Sequence, residues 1–179
     1  MNKNLMKIIL TTVFAAIAAA VSLFFVYVVP SDGTFGLPFY AIPLMIGSLL
    51  LGPKYGLVPG FLADLAIGFL GKYGYMPLYT ISSLSWSFFA GLIKNKYKAL
   101  KLLIMTFVSY LIATLGNTLA NYIYFGKKAA LGTLPLRVIS LFIFTPIITS
   151  AVHVLYLRLK PNYETIISNR QNPNKNDEM

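Results

Sequence analysis

One acidic residue lies within a long apolar stretch of the sequence. Of the five Asp and Glu residues, three belong to the polar C-terminal end and Asp32 falls in a short joint, which leaves Asp64 alone among apolar neighbours. A stretch this apolar is a candidate membrane segment. An ionisable group inside a bilayer is costly and normally faces a wet cavity or a partner, so Asp64 is a candidate functional residue. A structural Asp that bonds a neighbouring helix is the alternative. Glycines repeat at four-residue spacing around it, at Gly52, Gly56, Gly60 and Gly68, and predict that its helix face packs against protein.

Five further polar and aromatic residues are predicted to lie at a similar depth, towards the external side. They are Tyr75, Tyr79, Asn117, Asn121 and Arg137. Aromatic faces, amides and a base, together with the acid, are the components of a ligand pocket. The alternatives are an aromatic belt at the membrane surface for the tyrosines and an ordinary helix-end cation for the arginine.

The first apolar stretch is rich in alanine at a spacing that suits close helix packing. Ala15 and Ala19 form one small-xxx-small pair, and Ala16 and Ala20 form another. Small residues let a second helix approach closely. The residues alone leave open whether this helix packs within the fold or against a partner protein.

Several classes of chemistry have no support in the sequence. It contains no cysteine, no G-x-x-x-x-G-K-[ST] phosphate loop and no G-x-S-x-G or H-E-x-x-H motif. The single histidine, His153, favours packing over metal binding. We therefore expect no enzyme activity, no metal and no cofactor. The net charge of +10 does not indicate nucleic acid, because the basic residues stand at the ends and joints of apolar stretches.

The composition predicts an all-α integral membrane protein. Of 179 residues, 57% are hydrophobic and only 11% are charged, against about 25% charged in soluble domains. We predict a compact bundle of six transmembrane helices over residues 1–160 and a polar cytoplasmic tail over 161–179. The first segment is long enough to span the bilayer, which favours a membrane helix over a signal peptide. The predicted segments are 5–29, 37–52, 55–71, 76–93, 100–124 and 135–158.

The distribution of Lys and Arg predicts the orientation. With six spans, eleven of the fifteen basic residues fall on the side that holds both termini and four fall on the other. Loops rich in Lys and Arg stay in the cytoplasm, so both termini are predicted to be cytoplasmic, with the protein in a prokaryotic plasma membrane.

Two stretches carry a family resemblance. The first is LPFYAIPLMIGSLLLGPKYGLVPGFLADLAIGFL with YMPLYTISS, in residues 37–83, and it includes a G-P-x-x-G-x-x-x-G-x-x-x-D pattern ending at Asp64. The second is GNTLANYIYFG with LPLRVIS, between Gly116 and Pro146. Together they resemble the substrate-binding S components of energy-coupling factor (ECF) vitamin transporters, and within them the folate group.

The resemblance implies a subunit that captures a vitamin, folate or a related pterin, at the external side for ATP-driven uptake. It implies a transmembrane coupling (T) protein and two ABC ATPases as partners, with Ala15 and Ala19 contacting the T protein. A folate's carboxylates would rely on Arg137, Lys72 or the Lys127–Lys128 pair. The alternatives are an S component for another vitamin and a stand-alone small-solute transporter. A membrane-embedded enzyme is less favoured, since no catalytic set is present.

Overall fold

The structure is a computed structural model, and it describes residues 3–28, 36–72 and 74–169. Within these ranges the chain is helical and contains no strand. The all-α prediction is therefore confirmed. The helices are α1 (Lys3–Val28), α2 (Ala41–Leu51), α3 (Pro53–Leu70), α4 (Thr80–Leu92) and α5 (Ala99–Asn169), with single 3-10 turns at Pro38–Tyr40, Pro77–Tyr79 and Lys94–Lys96.

Element α5 spans 71 residues and consists of two helical arms that meet at Gly126, where the chain reverses direction. Gly126 has φ 85° and ψ 174°, a conformation that only glycine adopts readily. The rings of Phe107 and Phe142 are 6.1 Å apart, whereas a straight helix would separate residues 35 positions apart by about 52 Å. The inner arm (99–125) and the outer arm (127–169) thus lie side by side. The described residues give five α-helices, so the count of six is not confirmed; predicted segments five and six are the two arms of α5.

Among the residues that the structure describes, two helices are long and apolar enough to cross a bilayer by themselves. They are Leu5–Val28 and Ala99–Ile166, and Pro38–Leu51 forms a shorter apolar helix. Large apolar side chains on these helices are exposed, including Phe24, Leu100 and Phe142, as expected for surfaces that face lipid chains. The number of membrane crossings and the side on which the termini lie remain predictions.

Helix α2 is the central element of the fold. Ten of its eleven residues are buried, because α1, α3, α4 and α5 all pack around it. An apolar stretch without a polar face, AIPLMIGSLLL, is what such a fully enclosed position requires. The 3-10 turn Pro38–Tyr40 leads directly into α2 and so lies at one end of this central helix.

The predicted glycine face of α3 packs against protein, as expected. A Cβ on Gly56 would overlap the Ser48 side chain and lie 2.7 Å from its Cα atom. A Cβ on Gly60 would lie 2.9 Å from the Ser83 carbonyl oxygen of α4. Only glycine permits these approaches, and they bring Asp64, on the same face of α3, against α4.

Candidate functional site

A cavity of about 40 Å³ lies between the 3-10 turn before α2, helix α4 and both arms of α5. Its wall combines aromatic rings, hydroxyl groups, one amide and one guanidinium group. Mixed lining of this kind is typical of sites for small polar ligands with flat rings. The lining residues are Gly36, Pro38, Tyr40, Ser82, Trp86, Tyr110, Ala113, Thr114, Asn117 and Arg137.

Ser82 fixes the polar groups on one wall of the cavity. Its hydroxyl oxygen accepts a hydrogen bond from Nδ2 of Asn117 at 3.4 Å and shares one with the Tyr40 hydroxyl at 3.1 Å. The other side of the Asn117 amide, Oδ1, is buried and has no partner among the described residues, and the same holds for Oγ1 of Thr114. Leaving a buried polar atom unpaired costs about 1–3 kcal/mol. A ligand that reaches these two atoms would supply the missing hydrogen bonds.

Arg137 contributes the only cationic side chain among the lining residues. It is 8% exposed, and its Nε donates to Oγ1 of Thr133, one helical turn earlier, at 3.4 Å. Nδ2 of Asn121 donates to the same hydroxyl oxygen at 3.3 Å. The Tyr79 hydroxyl in turn donates to Oδ1 of Asn121. This chain of hydrogen bonds joins the two arms of α5 and orients Arg137.

Aromatic rings form the apolar part of the wall. The Trp86 and Tyr110 rings lie 5.2 Å apart at 55°, and Trp86 is 1% exposed. The hydroxyl of Ser85, next to Trp86, donates a hydrogen bond to the Ser109 carbonyl oxygen. This bond joins α4 to the inner arm of α5 beside the two rings. These two rings are thus held rigidly in the apolar part of the cavity wall.

Asp64 belongs to a second polar cluster, which does not line the cavity. Its Oδ2 accepts a hydrogen bond from Thr80 Oγ1 at 2.5 Å, and its Oδ1 accepts one from Ser83 Oγ at 3.2 Å. The Tyr75 hydroxyl lies 3.0 Å from the same Thr80 oxygen. Both carboxylate oxygens thus bond side chains at the start of α4. This geometry favours the structural interpretation of Asp64.

The six predicted binding residues divide into three groups. Asn117 and Arg137 line the cavity, Tyr79 and Asn121 lie behind Arg137 in its hydrogen-bond chain, and Asp64 with Tyr75 lies apart.

The sequence interpretation missed Tyr40, which lines the cavity. The signal that could have indicated Tyr40 is its position in LPFYAIP, near the start of the predicted segment 37–52, which begins on the predicted external side.

The two alanine pairs of α1 differ in exposure. Ala15 and Ala19 are 5% and 6% exposed and pack in the core of this chain. Ala16 and Ala20 are exposed. Ala15 and Ala19, which the family resemblance assigns to partner docking, therefore contact the chain's own helices in this structure. Ala16 and Ala20 are accessible.

Residues 2–157 match the family model described as "ECF-type riboflavin transporter, S component". The match covers most of the 179 residues. The chain belongs to this family. It is accordingly a membrane protein of the transport class and a substrate-capture subunit of an ECF importer, a class that works with T and ATPase modules and is not enzymatic. The match does not support the folate subgroup. No curated protein and no solved structure matches the chain.

Proposed function

We propose that this S component captures riboflavin in the cavity beside Arg137, at the external end of a multi-pass bundle. One observation carries the proposal: residues with aromatic rings and residues with unpaired buried oxygens line the same cavity, where the 3-10 turn, α4 and α5 meet. The tricyclic ring of riboflavin offers a face for stacking on the aromatic wall and an edge of N–H and C=O groups. The matching family is described as a riboflavin transporter family, which supports the same ligand.

Charge supports riboflavin over folate, which is the second candidate. Folate carries two carboxylates, whereas riboflavin has no charge. Arg137 is the only cation among the lining residues. Lys72 lies instead over the Tyr27 ring, 5.1 Å from its centre, and Lys127 and Lys128 are exposed. A second carboxylate held away from water without a cation would lower affinity, because a buried charge requires a partner.

The size of the cavity implies movement on binding. About 40 Å³ admits a few water molecules, whereas pockets for drug-sized ligands measure about 300–1,000 Å³. Riboflavin binding must therefore separate the cavity walls. The turn Pro38–Tyr40 and the outer arm of α5 are the elements whose displacement would enlarge the cavity, since α2 and Trp86 are enclosed in the core.

The exposed face of α1 is the surface that we propose for the T protein. Ala16 and Ala20 offer a small-xxx-small pair on the outside of the bundle, where a helix of another protein can approach closely. Docking through Ala15 and Ala19, as the resemblance implies, would require α1 to turn or to separate from the helices against which it packs. With both termini cytoplasmic, ATP hydrolysis by the partner ATPases would drive release of the vitamin inside the cell.

A thermal-unfolding screen of the purified protein against a vitamin panel tests the proposal. Riboflavin should raise the melting temperature more than folate, biotin or thiamine, because a ligand that binds only the folded state stabilises it. Thr149→Val provides a control, since Thr149 Oγ1 is also buried without a partner but does not line the cavity. That variant should retain the full riboflavin response. Absence of stabilisation by every vitamin would exclude the proposed role.

A further inference from the structure

Two unpaired oxygen atoms belong to neighbouring residues on one face of the inner arm of α5. Thr114 and Asn117 are three residues apart, so their side chains share one face of the helix, and both line the cavity. Thr114 is 4% exposed. Ser82 holds the amino side of the Asn117 amide, which directs the carbonyl oxygen away from Ser82. Two residues of the cavity wall thus each carry a buried oxygen without a partner among the described residues, one in a carbonyl group and one in a hydroxyl group.

We propose that Asn117 Oδ1 accepts a hydrogen bond from a ring N–H of the ligand, while the Thr114 hydroxyl donates to the carbonyl group next to that N–H. The inference rests on the proposed function and specifies which edge of the ring is recognised. In riboflavin this edge is the imide, N3–H between two carbonyl groups. The ligand class is therefore a flat heterocycle with a cyclic amide or imide.

The pairing makes the donor on the ligand necessary for tight binding. A ligand without an N–H at this edge would remove Asn117 Oδ1 from water and return no hydrogen bond. Sites built around a buried polar group reject analogues that leave this group unpaired far more strongly than apolar pockets reject analogues of altered size. If the side chain at position 117 only filled space, leucine would do so equally well. The unpaired amide oxygen has a direct explanation if the ligand supplies the donor.

Titrations of riboflavin and of its N3-methyl derivative, followed by flavin fluorescence, measure this selectivity. For the unaltered protein we expect the methyl derivative to bind about 10- to 100-fold more weakly, the range for a buried group left unpaired. In Asn117→Leu, which has a similar volume but no acceptor, riboflavin itself should bind more weakly and the ratio between the ligands should fall below about threefold. Thr114→Val should weaken riboflavin binding, and the matched Thr149→Val should not.

Three results separate the possible failures. If the unaltered protein binds neither flavin, the proposed function is wrong. If it binds both flavins equally, the function stands and the inference is overturned without any variant. If the ratio in Asn117→Leu equals that of the unaltered protein, the methyl group acts by bulk alone and the inference is again overturned. Asn117→Ala provides the same comparison if Asn117→Leu does not fold.

Discussion

Replacing Asp64 by Asn should destabilise the protein and leave its vitamin affinity nearly unchanged. The side chain is 8% exposed and joins α3 to the start of α4 through Thr80 and Ser83. Asn has almost the same shape but no charge, and only one of its two terminal atoms is an acceptor. The Thr80 or the Ser83 hydroxyl would therefore face an NH2 donor in place of the oxygen to which it donates, and the remaining bond would lose its charge assistance.

The magnitude follows from the two hydrogen bonds. A hydrogen bond to a charged group contributes about 1.5–3 kcal/mol, so the loss of one such bond should lower the free energy of unfolding by that amount. For a chain of this size, each kcal/mol shifts the melting temperature by about 2–4 °C. The expected decrease is therefore about 3–12 °C. Because Asp64 is absent from the cavity lining, the riboflavin dissociation constant should change by less than about threefold, under 0.7 kcal/mol.

Thermal unfolding and a riboflavin titration on the same preparations provide the test. Thr80→Val is the matched variant, because it removes a hydrogen-bond donor to the same carboxylate and should show the same separation of stability from affinity. An Asp64→Asn protein with unchanged melting temperature and greatly reduced riboflavin affinity would contradict a structural role of Asp64. That result would mean that Asp64 contacts the ligand, as its isolated position in an apolar segment suggested.

Three further substitutions test other parts of the account. Arg137→Gln should weaken riboflavin binding about 10-fold or more, because it removes the charged donor of the cavity; unchanged affinity in a titration would place the ligand elsewhere. Ala16→Leu together with Ala20→Leu should abolish co-purification of the T protein without affecting the melting temperature, since both residues are exposed; retained co-purification would exclude this face. Gly56→Ala should cost about 1–3 kcal/mol by overpacking, measured by thermal unfolding, whereas Gly132→Ala, with open space around its Cβ position, should cost nothing; equal stability of the two variants would contradict the close packing of α3.

Composition and glycine spacing were sufficient to predict the helical class and the packed face of α3. Both depend on local properties: an apolar helix is costly in water, and a four-residue repeat places residues on one helix face. The count of helices was less predictable. Gly126 has a non-helical conformation that reverses the chain, and the two predicted apolar segments on either side of it are the two arms of the single element α5.

The candidate site was only partly predictable, because depth in the bilayer does not determine which side chains meet. Asp64 and Asn117 were predicted at a similar depth, yet Asp64 bonds hydroxyl groups of α4 while Asn117 lines the cavity. These hydrogen bonds depend on how α3 and α4 are rotated about their axes. The alanine pairs show the same limit, since Ala15/Ala19 and Ala16/Ala20 have identical spacing and only the packing of α1 decides which pair is buried.

Riboflavin binding by the isolated protein is the most direct test of the proposal that this S component captures riboflavin. We expect a sub-micromolar dissociation constant by titration in detergent or nanodiscs. With riboflavin at 100 times that constant, the folded state should gain about 2.7 kcal/mol, which corresponds to a rise of about 5–11 °C in melting temperature. Folate at the same concentration should produce a much smaller rise. No measurable riboflavin binding by a folded preparation, or stabilisation by folate alone, would contradict the account.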